Sequence, residues 1–305
     1  MRYTNPSKSA HVRVGQRVDY APYYSLPLPG ALVTAPLDRV GLSADREDHL
    51  VGHESYISNS DVSYYRELTP RTSLSVEGGY RFTYSGDPSF DVRDLRVGGH
   101  ALHRFTPAFG VRSGYGYRYG TLPGGSITGV VRSQDVDLGI EYSRPLSKTR
   151  RASVVVSSGA AVIEMGTDRM YRMTANGSFK YDTPDRWALQ IDYDRGVQVI
   201  EGFTQPIFSD GVMARLSGLF GPRIEASFEI GGAIGQIGQP GRRYHNFQGA
   251  AQMRYAFTKY MAVEVQGLSY QYEFDPSSTP VEFIPRAMDR RGGRVSLVFW
   301  LPMTQ

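Results

Sequence analysis

Apolar and polar residues alternate with a period of two along most of the chain, which is the pattern of strands with one face in an apolar medium and the other in a polar one. Over Thr72–Tyr84, Leu74, Val76, Tyr80, Phe82 and Tyr84 share one face, and Ser73, Ser75, Glu77, Gly79, Arg81 and Thr83 share the other. Trp187–Val199 opposes Trp187, Leu189, Ile191, Tyr193, Val197 and Val199 to Gln190, Asp192, Asp194 and Gln198. Ile224–Ile234 opposes Ile224, Ala226, Phe228 and Ile230 to Glu225, Ser227 and Glu229. The pattern predicts fourteen strands, from Ala10–Tyr20 and His53–Arg66 through to Arg291–Leu301. Strands of roughly 13 residues are long for a soluble sheet, where about 5 or 6 is usual. They are long enough to cross a bilayer at a tilt, which takes about 9 to 11.

The connections fall into two alternating kinds. Short ones, such as Leu68-Thr69-Pro70-Arg71, Phe105-Thr106-Pro107-Ala108, Arg144-Pro145-Leu146-Ser147 and Phe220-Gly221-Pro222-Arg223, are rich in Pro, which presets a turn and cannot donate to a ladder. The longer ones include residues 21–52, a Pro-rich and rather apolar first loop read as a candidate constriction, and residues 275–289, a second long loop. Short and long turns in alternation predict an antiparallel meander with two unlike ends. At Gly267 the apolar phase switches from Met261, Val263 and Val265 to Leu268, Tyr270 and Tyr272, which predicts a β-bulge there and a similar irregularity over Arg290–Gly293.

Composition narrows the class. With 40% hydrophobic and 21% charged residues in 305, the chain is neither disordered nor a helical membrane bundle, and no run of about 18 apolar residues occurs. Cys is absent, which removes disulfides and thiolate chemistry. Net charge is only +4, with Arg far outnumbering Lys, so nucleic acid is not expected as a partner. The opening Met1-Arg2-Tyr3-Thr4-Asn5-Pro6 lacks the apolar core of a secretory leader, so an exported form is expected to carry one ahead of it.

The long alternating strands, the Pro-containing short turns, the aromatic bookends Tyr80, Phe82, Tyr84 and Tyr115, Tyr117, Tyr119, and the last strand Gly293–Trp300 together resemble the bacterial outer-membrane β-barrel proteins. The resemblance covers nearly the whole chain and is one of architecture. It implies an all-β fold, a single transmembrane antiparallel up-and-down barrel of about 14 strands formed by residues 1–305. It also implies aromatic girdles at both interfaces, an outer-membrane location and periplasmic N- and C-termini. Val295, Leu297, Phe299 and Trp300 correspond to the C-terminal assembly signal of such proteins, although Leu301–Gln305 follow. A soluble sandwich or propeller is the alternative fold.

With the apolar face toward lipid, the opposite face lines a lumen. Its candidate pore-lining residues are Glu77, Arg81, Arg96, Arg112, Arg118, Asp135, Asp137, Arg172, Asp192, Asp194, Glu229, Arg254 and Glu264. Arg13, Arg17, Asp94, Arg104, Glu141, Lys180, Glu225 and Arg294 lie on the same face. Charges of both signs imply a wet or salt-bridged interior, with Glu77, Asp192, Glu229, Glu264 and Arg112 expected near mid-height. No catalytic or metal site and no cofactor is expected: His53-Glu54-Ser55 puts a Ser near a His but not in the local pattern of barrel phospholipases, and His100 and His103 point to opposite faces. The expected function is an outer-membrane channel for small polar solutes or ions. The alternatives are a structural or export barrel plugged by its own loop or by an envelope protein, and a lipid-modifying enzyme.

Overall fold

A computed structural model describes residues 2–6, 10–21, 55–85, 91–121, 129–147, 150–183, 186–198, 205–238, 243–275 and 286–299. These form one antiparallel sheet in which every strand pairs with its neighbours in sequence. A five-residue strand β1 (Arg2–Pro6) precedes β2 (Ala10–Ala21), β3 (Ser55–Thr69), β4 (Thr72–Ser85), β5 (Val92–Arg104), β6 (Phe109–Thr121), β7 (Val130–Ser147) and β8 (Arg150–Met165). The sheet continues with β9 (Asp168–Thr183), β10 (Trp187–Gln198), β11 (Ile207–Leu219), β12 (Ile224–Ile237), β13 (Arg243–Thr258), β14 (Met261–Phe274) and β15 (Ala287–Phe299). The fourteen long strands match the fourteen predicted, and the described residues contain no α-helix. The short β1, which lies along His11–Gly15 of β2, is not apparent from the alternation.

The alternation translates directly into two faces. Val62, Val76, Val97, Tyr115, Val136, Leu138 and Ile140 are all exposed on one of them, as are Phe228, Ile230, Val265 and Leu297 farther along the sheet. Aromatic pairs sit near both ends of this surface: Tyr20 and Tyr56 at 5.2 Å near the end called upper here, Tyr181 and Trp187 at 5.3 Å near the lower end. Such a belt in water would be an aggregation surface; amphipathic rings at the two rims of an apolar band suit lipid.

Register shows how the sheet coils. Partners followed strand by strand from Ala10, the first residue of β2, lead through Leu74, Leu138, Ala175, Asp210 and His245 to Ala287, the first residue of β15. The partner line thus climbs a full strand length on its way across the sheet. A closed barrel of fourteen strands tilted by 35–45° needs a total stagger of about 14 to 20 residues, and β15 descends twelve residues from Ala287 to Phe299. Among the described residues β2 and β15 do not pair with each other.

Three local expectations are corrected. Arg144–Ser147 is not a turn: β7 runs to Ser147, with Pro145 opposite Arg151 at a register shift, a ladder end where a missing N–H is tolerated. No bulge occurs at Gly267 or Arg290–Gly293, because the ladders through Ala251, Gly267 and Gly293 are continuous. Instead β14 keeps its phase while its surroundings invert. Below Gly267 the apolar residues face outward; above it Tyr270, Tyr272 and Phe274 point inward and are buried, leaving Gln271 and Glu273 outside. Finally, β15 starts at Ala287, inside the predicted second loop, whose residues 276–285 lie outside the described residues, as do residues 22–52 of the first.

Candidate functional site: the charged inner face

Strand parity and pairing put all thirteen candidate residues on the face opposite the exposed apolar one. On β6 this inner face carries Gly114 and Gly116 between Arg112 and Arg118, with Gly110 and Gly120 on either side of them. The glycines make room for charge: a Cβ on Gly116 would fall 2.7 Å from Asp135 Oδ2, and one on Gly15 2.7 Å from Asp61 Oδ2. The space so cleared is a cavity of about 590 Å³ enclosed by β2 to β10. It is lined by Glu77, Arg81, Arg96, Arg112, Arg118, Asp135, Asp137 and Asp194 of the candidates, together with Arg13, Asp61 and His100.

The charges are organised as separate clusters. Asp94, only 3% exposed, accepts hydrogen bonds from Arg118 Nε at 2.6 Å and Nη2 at 3.0 Å, and from Arg96 Nε at 2.7 Å. Two guanidiniums on one buried carboxylate is the arrangement in which charge-assisted bonds are strongest. Six residues farther along β5, Arg112 Nη2 meets His100 Nδ1 at 3.2 Å, and Asp137 lies 3.8 Å from His100 and 3.9 Å from Arg112. On β10 to β12, Arg215 donates from Nε to Glu229 at 3.0 Å and lies 3.9 Å from Asp192, which also accepts from Ser178 and Gln190 at 2.8 Å. Nearer the lower end, Arg254 donates to Glu264 at 2.7 Å and to Glu225 at 3.1 Å.

The expected mid-height group is therefore divided: Glu77 and Arg112 line the cavity, Asp192 and Glu229 are held by Arg215, and Glu264 is held by Arg254. Arg172 takes a different role, its guanidinium lying 5.3 Å from the Phe208 ring centre. Arg215 escaped the sequence reading because β11 alternates weakly, with Val212 outside and Met213 inside, so its polar face has no clear phase. Pairing with Glu229 would have revealed it only once the register was known. Of the assembly-signal residues, Val295, Leu297 and Phe299 lie exposed on the outer face, and Trp300 is outside the described residues.

Chemically the face offers ion pairs and a polar cavity. Asp192 and Asp194 stand on one strand face, and among the described residues no group of three His or carboxylate side chains is placed to hold a metal. His53 and Glu54 are outside the described residues, and His100 and His103 do lie on opposite faces of β5.

No protein-family profile and no curated protein matches the sequence. Among solved structures, the chain is similar to the apoprotein form of the FrpB iron transporter of Neisseria meningitidis, F5-1 variant. That match has a TM-score of 0.58 at 10% identity and covers 98% of this chain and 55% of that one. The F3-3 variant gives a TM-score of 0.55 at 9% identity, covering 98% and 56%. The chain spans little more than half the length of these proteins. At such identity the likeness speaks to the fold, an antiparallel sheet of the outer-membrane barrel type.

Proposed function

We propose that this chain, having the fold of the bacterial outer-membrane β-barrels, sits in the outer membrane as a channel for small polar solutes or ions. The observation that carries the reading is the division of one sheet into an exposed apolar face and an inner face holding a charged cavity of about 590 Å³. A long unpaired edge is costly in hydrocarbon, so β15 closes on the stretch of β2 beyond Gly15, since β1 already lies along His11–Gly15. Fourteen up-and-down strands place Ala10 and Phe299 at the same end, which we assign to the periplasm. Passage is set by the free bore and biased by the charges that face it.

Refolded protein in planar bilayers is expected to show discrete conductance steps. Glu77→Gln is expected to lower the cation-to-anion permeability ratio, read from reversal potentials, and Arg112→Gln to raise it. Each shift should be at most about fivefold, since a unit charge at 4 Å in water is worth roughly 1 kcal/mol. Correctly folded, heat-modifiable protein that stays silent overturns the channel.

One observation favours a second reading, a barrel filled by its own chain or a partner. The inner upper surface of β13 and β14 is aromatic and dry, with Tyr244, Tyr270, Tyr272 and Phe274 buried. Silent protein would move the weight there.

A further inference from the structure

Among the ladders joining strands consecutive in the chain, one is short in the described residues. Every other pair of adjacent long strands is joined at twelve to sixteen positions, whereas β9 and β10 are joined at nine, ending at Ala175 opposite Arg195. Above that point Asp168–Thr174 of β9 are paired with β8 alone among the described residues. β10 continues along β11 to Gln198.

The two strands part company at Gly196, a residue that leaves a strand's direction easily changed. By alternation Val197 belongs to the outer face with Tyr193, yet it packs on the cluster of Val131 and Ile163, inner-face residues of β7 and β8 against which Met165 and Met170 also pack. The upper end of β10 has thus slipped inside β9. Its Val197 carbonyl accepts a hydrogen bond from Arg118 Nη1 at 2.8 Å, and Arg118 is itself held by Asp94. Arg172 of β9 and Arg195 of β10 both lie 5.3 Å from the ring of Phe208 on β11. Side chains, not a backbone ladder, hold this part of the wall shut, and side-chain contacts can part without leaving a strand's N–H and C=O groups newly stripped.

Inside, Thr174, Asn176, Asp194 and Gly196 line the charged cavity right up to this boundary. Outside, the neighbouring residues of β9 are Tyr171 and Met173, 70% and 67% exposed. We propose that the upper β9–β10 boundary is a lateral portal, through which the anionic head of a membrane amphiphile enters the cavity while its apolar tail stays in the lipid. The head is assigned as anionic because of Arg172: Arg118 is paired to Asp94 and Arg195 lies 3.6 Å from Asp210, whereas the Arg172 guanidinium sits over the Phe208 ring at the portal with no carboxylate of the described residues in ion-pair reach. The inference rests on the membrane reading above, and not on the protein conducting ions.

Because the chain has no Cys, a disulfide can be placed without background. Thr174→Cys with Gly196→Cys continues the ladder by one step. Gly196 has ordinary room for a Cβ, the nearest atom being Asp194 Oδ2 at 3.5 Å. Protein reconstituted in phosphatidylcholine vesicles is exposed to radiolabelled dodecyl phosphate, and retention is measured before and after oxidation, with ion conductance recorded on the same preparation. Support is retention that falls at least tenfold on oxidation, returns with dithiothreitol, is unaffected by oxidant in each single-Cys variant, and falls at least fivefold in Arg172→Gln. Equal retention in locked and unlocked protein overturns the portal, as does competition by inorganic phosphate alone, which would show an anion site reached from water. If this pair does not oxidise, Ala175→Cys with Arg195→Cys, at the last ladder position, replaces it; failure of both overturns the placement of the strands. Absence of conductance in every form would count against the channel alone.

Discussion

Val136→Arg and Leu138→Arg, made singly in β7, are expected to lower stability and insertion sharply, although both side chains are already exposed, at 60% and 63%. In a protein surrounded by water such changes are nearly neutral, within about 0.5 kcal/mol. On a lipid-facing strand each guanidinium must be carried into hydrocarbon, which costs about 2 to 4 kcal/mol near the midplane and about 1 or less at the rims. Asp137→Asn between them points to the opposite face and is expected to leave insertion unchanged. Urea titration of refolding into vesicles, read by heat-modifiability on a gel, separates the two cases. Arginines that refold as well as the parent would remove the membrane reading altogether, and with it both the channel and the portal.

Asp94→Ala is expected to have the second-largest effect. The carboxylate is buried and is shared by Arg96, whose side chain is 46% exposed, and Arg118, at 13%. Removing it leaves the Arg118 guanidinium enclosed without a counter-charge, and breaking a buried pair from one side costs about 3 kcal/mol. Because Arg118 also carries the bond to Val197, the upper end of β10 is expected to loosen, which limited proteolysis would detect as new cleavage near Gly196. In Asp94→Ala/Arg118→Ala the stranded charge is gone, so the double change is expected to cost less than the two single changes summed. Strict additivity would mean that the pair contributes nothing as a pair. Arg254→Ala is the milder companion: Glu264 stays buried but Glu225 is half exposed, so about 1 to 2 kcal/mol is expected, measured by the same urea titration.

What could be read in advance follows from period two. A residue's face is decided by its parity within a strand, so Glu77, Arg118, Asp137 and Glu229 could be assigned to one side of the sheet without knowing which strand lies next to which. Position along the strand was harder. Gly267 shows why: the apolar residues change phase there while the backbone does not, because the upper part of β14 faces an aromatic interior instead of lipid. A pattern rule that assumes one environment along a strand must convert a change of surroundings into a change of backbone.

Length, alternation, turn chemistry and the absence of Cys together determined an all-β meander of fourteen long strands with one apolar face, since these depend on each residue's own neighbours in the chain. The joining of Asp94 to Arg118, of Arg215 to Glu229 and of Arg254 to Glu264 depended on register between strands, which the sequence does not express in any single segment. The short ladder between β9 and β10, and the entry of Val197 among inner-face residues, belonged wholly to tertiary structure. They arise where the curvature of the whole sheet competes with local pairing, and alternation along one strand carries no information about curvature across many.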